Sequence, residues 1–226
     1  MNSEKNLKDK KKRDKIGSNF VYDFVKITGS IPALLLLRPK IHYPEGRVKL
    51  SGAAMISSNH HTIIDPIIIM ITYPFRRLCF LATKDLYRTK IMSFLLNAWR
   101  CIQVDKENFS LASFHQVVDR LNSGGVVVIF PEGQVTASGA SSILTFKSGV
   151  ILMAHKSGAP VIPMYIPHRE KWYHRQQVII GAPVDIREMV GAVPNMDDIT
   201  RASEYLRNKE VELKSYYDNL KQKKDT

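Results

Sequence analysis

Apolar and polar positions change rhythm near residue 47. Before it, apolar residues recur three and four apart. After it, short apolar runs alternate with longer windows of helical spacing. The runs at 47–50, 53–57, 78–83, 102–104, 126–130, 161–166 and 178–180 predict strands. The windows at 66–72, 85–99, 109–122 and 142–156 predict helices between them. Ile199, Ala202, Leu206, Leu213, Tyr217 and Leu220 share one face of a last helix over 196–220, which leaves Lys221, Lys223 and Lys224 in solvent. Strands alternating with helices predict an α/β fold, a mostly parallel β-sheet flanked by helices, over residues 40–226. The chain shows no internal repeat and no low-complexity linker.

Residues 1–39 read differently. Phe20, Val21, Phe24, Val25 and Thr28 fall at helical spacing, with Asp23 and Lys26 opposite. Gly29-Ser30 punctuates the pattern, and Pro32 is suited to opening a second short helix carrying Leu34, Leu35, Leu36 and Leu37. The expectation is a basic tail followed by an amphipathic helical hairpin. It would lie in the headgroup plane of a membrane without spanning it. The expectation is that no stretch reaches the ~20 apolar residues of a spanning helix.

Composition narrows the classes. The chain has 226 residues, 44% of them hydrophobic, enough for a sizeable core. Two cysteines exclude a disulfide framework. The net charge of +12 predicts attraction to something anionic: nucleic acid, an acidic membrane surface or a phosphorylated substrate. Seven Lys and Arg stand against three acids before Ile16, which reads as a polybasic contact with anionic lipid. Cytoplasmic placement on a membrane face follows as the expectation.

Four runs carry candidate chemistry. Ser57-Ser58-Asn59-His60-His61-Thr62 follows a buried strand, at the strand end where open α/β sheets place their sites. Asp65 stands five residues beyond His60. On a straight helix the two would point ~140° apart. With His60 in the turn and Asp65 in the first helical turn they can meet, so that Asp65 accepts the Nδ1 proton and Nε2 is left to act as a base. Metal binding by His60 and His61 is disfavoured, because no third ligand has helpful spacing.

In the second run, Phe130-Pro131-Glu132-Gly133, an apolar strand delivers a carboxylate to its tip and Gly133 permits close backbone approach. The third, Phe146-Lys147-Ser148-Gly149, places Lys147 near a predicted helix start, where a cation answers an anion. In the fourth, Arg100-Cys101-Ile102-Gln103-Val104-Asp105-Lys106, Arg100 and Lys106 are candidates for a phosphate site.

In this order the runs resemble the glycerolipid acyltransferase family, the lysophosphatidate acyltransferases. Its pattern is Asn-His-x-x-x-x-Asp, a Gly-x-Ile-x-x-x-Arg-like strand, Phe-Pro-Glu-Gly-Thr-Arg-Ser, and a Val-Pro-x-x-Pro strand. The resemblance covers roughly residues 47–184. It implies transfer of a fatty acyl chain from a thioester donor, acyl-carrier protein or acyl-CoA, to the free hydroxyl of a 1-acyl-glycerol-3-phosphate, with no cofactor. His60 would be the general base, oriented by Asp65. Asn59, Glu132 and Gly133 would contact substrate, and Lys106 and Lys147 its phosphate. Three positions depart from the pattern: Arg100 replaces Gly, Lys106 replaces Arg, and Val135 replaces Arg. Arg100 is a candidate to compensate for the charge missing at Val135.

Three other readings compete. The acceptor is a different lysophospholipid or a glycolipid; the chain is a basic nucleic-acid-binding protein; or it is a non-catalytic lipid-binding relative. No nucleic-acid module is recognisable, and His60, Asp65 and Glu132 are intact.

Overall fold

The computed structural model describes residues 2–105, 110–131, 140–169, 171 and 173–225. Side chains within 2–19, 140–147 and 224–225 fall outside that description. The chain runs α1 (Asn2–Leu37), β1 (Lys40–His42), β2 (Ala54–Ser58), α2 (Asp65–Thr72) and β3 (Leu78–Thr83). A 3-10 turn (Lys84–Arg88), α3 (Lys90–Ala98), β4 (Ile102–Val104) and α4 (Leu111–Asn122) follow. The remainder is β5 (Val126–Ile129), α5 (Ala140–Ser157), β6 (Val161–Tyr165), β7 (Gln177–Ile180), α6 (Ile186–Met189) and α7 (Met196–Asp225).

The seven strands form one sheet in the order β1-β7-β6-β2-β5-β3-β4. β6, β2, β5, β3 and β4 are mutually parallel. β7 runs antiparallel to β6, and β1 follows β7. Alternate residues of each buried strand serve opposite faces. Ala54, Ile56, Val126 and Val128 join the core under α1 and α2, while Met55, Val127 and Ile129 join the one under α4, α5 and α7.

Three expectations are corrected. The segment 47–50 forms no strand; Lys40–His42 pairs with β7 instead. The N-terminal hairpin is a single helix, α1, with Pro32 inside it. Gly29 is helical and no atom crowds its Cβ position, so Gly-Ser alone does not force a reversal. The unbroken helix makes Phe20–Leu37, 18 residues of mean hydropathy 1.5, long and apolar enough to cross a membrane by length and composition, against the earlier expectation.

α1 lies against α2 and α3. Its inward face is partly polar. Tyr22 is fully buried and its hydroxyl donates to Leu78 O at 3.1 Å and accepts from Leu78 N at 2.7 Å. Buried Lys26 donates to Tyr73 O at 3.0 Å and Arg76 O at 2.5 Å, just beyond the C-terminus of α2. Its outward face is apolar: Phe20, Phe24, Ile27, Ile31, Leu34, Leu35 and Leu36 are exposed. Ile91 and Phe94 on the adjoining α3 are exposed as well.

Candidate active site

β2 ends at Ser58, and the chain turns through Asn59, His60, His61 and Thr62 into α2, whose first residue is Asp65. Pro66 in the first turn suits this start, since its missing N–H would have had no helical partner. The turn brings residues five apart into contact. His60 Nδ1 lies 3.1 Å from Asp65 Oδ2. The same oxygen accepts from the backbone N–H of His61 at 2.7 Å and of Thr62 at 2.8 Å, and the Thr62 hydroxyl donates to Oδ1 at 2.7 Å.

Asp65 is buried. Burial pushes its carboxyl up, but the bonds from His60, Thr62 and His61 outweigh this and hold it below the ordinary carboxylate value. An ionised Asp65 can only accept, so His60 Nδ1 is the donor in this bond, and in the neutral imidazole Nε2 is the nitrogen left with the lone pair. On its other side His60 stacks on Phe130, with centroids 4.4 Å apart and planes at 25°. β2 pairs with β5 so that Ser57 faces Ile129, which sets the two strand ends level. Phe130, the first residue of the Phe-Pro-Glu-Gly run, therefore meets the Asn-His-x-x-x-x-Asp run through ring contact.

Asn59 takes a different place from the substrate contact expected of it. It is buried; its Nδ2 donates to Ile166 O at 2.8 Å, and its Oδ1 accepts from Ile166 N at 2.7 Å. Both ends of the amide are spent on the end of β6, clipping the His60 turn to the sheet. Lys106, Glu132 and Gly133 lie outside the described residues, as does Val135. Lys147 lies inside α5, which begins at Ala140, so it does not stand at a helix start as expected; its side chain is outside the description.

Arg100 stands apart from the others. It precedes β4 on the side where parallel strands begin, and its carbonyl accepts from Cys79 Sγ at 3.0 Å near the start of β3. His60 sits where those strands end. Val135, whose missing charge Arg100 is a candidate to replace, lies outside the described residues; what is described is that Arg100 and His60 lie at opposite ends of the strands.

Sequence reasoning passed over Thr62 and Phe130. Their signals were adjacency to His60 in one case and an aromatic at a strand tip in the other. Among the described residues, no group of three His, Cys, Asp or Glu is arranged to hold a metal ion.

A mostly parallel open sheet whose strand ends gather a carboxylate-held histidine defines an α/β enzyme domain. A family model described as Acyltransferase matches residues 38–167, more than half of the chain, and the chain belongs to this acyltransferase family. It is similar to the 1-acyl-sn-glycerol-3-phosphate acyltransferase of Bacillus subtilis, 23% identical over 197 residues, covering 84% of this chain and 96% of that one. It is also similar to the protein of the same name from Borreliella burgdorferi, 27% identical over 156 residues, covering 67% of this chain and 58% of that one. Among solved structures, its fold resembles the 1-acyl-sn-glycerophosphate (LPA) acyltransferase PlsC from Thermotoga maritima. The TM-score is 0.57 at 19% identity, over 87% of this chain and 81% of that one.

Proposed function

We propose that this enzyme moves a fatty acyl chain from acyl-carrier protein or acyl-CoA to the free hydroxyl of 1-acyl-glycerol-3-phosphate, giving phosphatidic acid. The observation that carries the reading is the His60–Asp65 pair, braced by Phe130, in a chain of this family. His60 Nε2 takes the acceptor hydroxyl's proton as its oxygen attacks the thioester carbonyl. Asp65 stabilises the imidazolium that forms. The tetrahedral intermediate then expels the thiolate, which recovers the proton from His60. The thioester is electrophilic enough that no covalent enzyme intermediate is required. The test is His60→Ala with lysophosphatidate and an acyl donor. Activity falls by about 10²–10⁴-fold if His60 is the base, and retained activity removes it.

A second acceptor reading, another lysophospholipid or a glycolipid, is favoured by Lys106 and Val135 standing where the resembled pattern has arginine. An acceptor panel separates the two. Nucleic-acid binding is the remaining alternative, and a salt titration with duplex and single strands beside vesicles tests it.

We also propose that α1 rests on the membrane surface on the side bearing the enzyme's cytoplasmic substrates. Supporting this are its exposed apolar face and the contacts of Tyr22, Lys26 and Leu37 with the α/β domain. A helix docked flat on a folded domain is not free to cross a bilayer, and Lys26 would carry a charge into hydrocarbon. Alkaline carbonate releases an interfacial helix and retains a spanning one.

A further inference from the structure

The end of the sheet opposite His60 carries a polar cavity of about 590 Å³. It opens where β3 and β5 begin, a strand's length of about 16 Å from the catalytic edge. Lys26, Arg76, Arg77, Arg100 and Arg120 line it against a single carboxylate, Asp23. That carboxylate is engaged: Arg77 holds both its oxygens, at 2.9 and 2.6 Å. Arg76 is oriented by the Gly52 and Gly124 carbonyls, and Lys26 by those of Tyr73 and Arg76. These neutral acceptors position the cations without cancelling them. Arg76, Arg100 and Arg120 are half-buried, so the surplus positive charge is partly withdrawn from water.

Arg100 closes α3: its N–H donates to Asn97 O at 3.0 Å and the next N–H, of Cys101, donates to Leu96 O at 2.9 Å, a Schellman-type helix end. Its φ is 56°, the left-handed region that glycine enters freely and a bulky L residue enters at a cost. The helix end asks for this conformation whatever side chain stands there, and here the position adds an arginine to the cavity lining. Exposed apolar residues join the lining, Ile27, Pro74 and Phe75 (the last 98% exposed), beside exposed Arg77, Ser123 and Gly124. Ile27 lies on the apolar outward face of α1. Positioned cations beside exposed apolar side chains match an anionic phospholipid, with its phosphate among the arginines and its chains along Phe75 and α1.

We propose that this cavity binds the headgroup phosphate of an anionic membrane phospholipid, at a site separate from the catalytic edge. The inference rests on the membrane-surface reading of α1, and the two fail differently. The full chain is titrated with monomeric dihexanoyl phosphatidylglycerol, dihexanoyl phosphatidylcholine and inorganic phosphate. Binding to neutral phosphatidylcholine vesicles is measured alongside.

The expected result is at least tenfold preference for the glycerol headgroup over choline. That preference is lost in Arg100→Gly and Arg120→Gln, while neutral vesicles bind all three proteins alike. Arg100→Gly relieves the left-handed strain, so its melting temperature is not expected to fall, and lost binding cannot be ascribed to unfolding. In the wild type, the phosphatidylglycerol also slows hydrogen exchange at 74–79 and 123–125. Equal binding of inorganic phosphate, an unchanged preference in both variants, or no protection in these segments overturns the proposal. Loss of neutral-vesicle binding on placing Gln at Phe24 and Leu35 tests the seating of α1. Failure of that result alone removes the seating and leaves the phosphate contact standing on the monomeric-lipid titration.

Discussion

The His60 imidazole lies over the Phe130 ring with centroids 4.4 Å apart, while its Nδ1 meets Asp65 Oδ2 at 3.1 Å. The hydrogen bond fixes the ring's edge and the stack fixes its plane, so the direction of Nε2 is set twice. Phe130→Leu keeps the apolar volume and removes the flat face. An aromatic pair of this kind contributes about 0.5–1.5 kcal/mol beyond burial. The proposed acyl transfer should fall by about 2- to 10-fold in kcat, with KM little changed. An unaltered kcat would show that Asp65 alone positions the imidazole.

Asp65→Asn removes the carboxylate and leaves a similar shape. Because the folded-state value is depressed, Asp65 contributes stability that is present above the ordinary carboxylate range and is lost as pH falls through the folded value. Chemical denaturation from pH 7 to 2 should show the wild-type advantage over Asp65→Asn shrinking below about pH 4. A difference independent of pH would mean that the bonds to the carboxylate add nothing specific to its charge. Acyl transfer at pH 7 should fall by about 10²–10⁴-fold.

Asn59→Ala deletes two buried bonds to Ile166 and leaves its backbone N–H and C=O unpaired. At about 1–3 kcal/mol for each unsatisfied group, the loss should be several kcal/mol, read as a lower melting temperature. A residue that only touched substrate would raise KM and leave melting unchanged.

Lys26 is held below the ordinary lysine value of 10.5, at about 8, first by burial and then by Arg77, against the attraction of Asp23. Between pH 8 and 10.5 the unfolded chain binds the extra proton, so folded stability attributable to Lys26 rises with pH across that window. The stability of the wild type minus that of Lys26→Met should climb by up to about 1.4 kcal/mol per pH unit there. A flat difference would show that the ammonium is already fully accommodated by the Tyr73 and Arg76 carbonyls.

Strand existence was legible where apolar residues pack against a core on at least one face of the sheet. The runs at 78–83 and 102–104 were read with the limits the structure has. The segment 47–50 misled because Val48 and Leu50 alternate inward like a strand's residues, yet no neighbouring strand offers its backbone. The window 85–99 hid a break at Thr89, whose extended backbone and side-chain bond from Met92 N start α3 afresh. The proximity of His60 and Asp65 was readable as a condition on the turn, because five residues is a local distance. The separation of Arg100 from them was not. It depends on which end of a strand a residue occupies relative to strands distant in sequence, and a one-dimensional motif carries no such sign.

Tyr22 supplies both hydrogen-bond partners to the backbone of Leu78, the first residue of β3. α1 is therefore part of the sheet's own bonding, and its removal would leave a strand start unpaired. On the proposed seating, a lipid bilayer gripping the far side of α1 acts by mass action on folding itself, to the extent that it binds the docked helix more tightly than the unfolded chain. The melting temperature should then rise with vesicle concentration. Copies displaced from the surface lose that increment, so the amount of folded enzyme a cell keeps would follow the lipid area available to hold it.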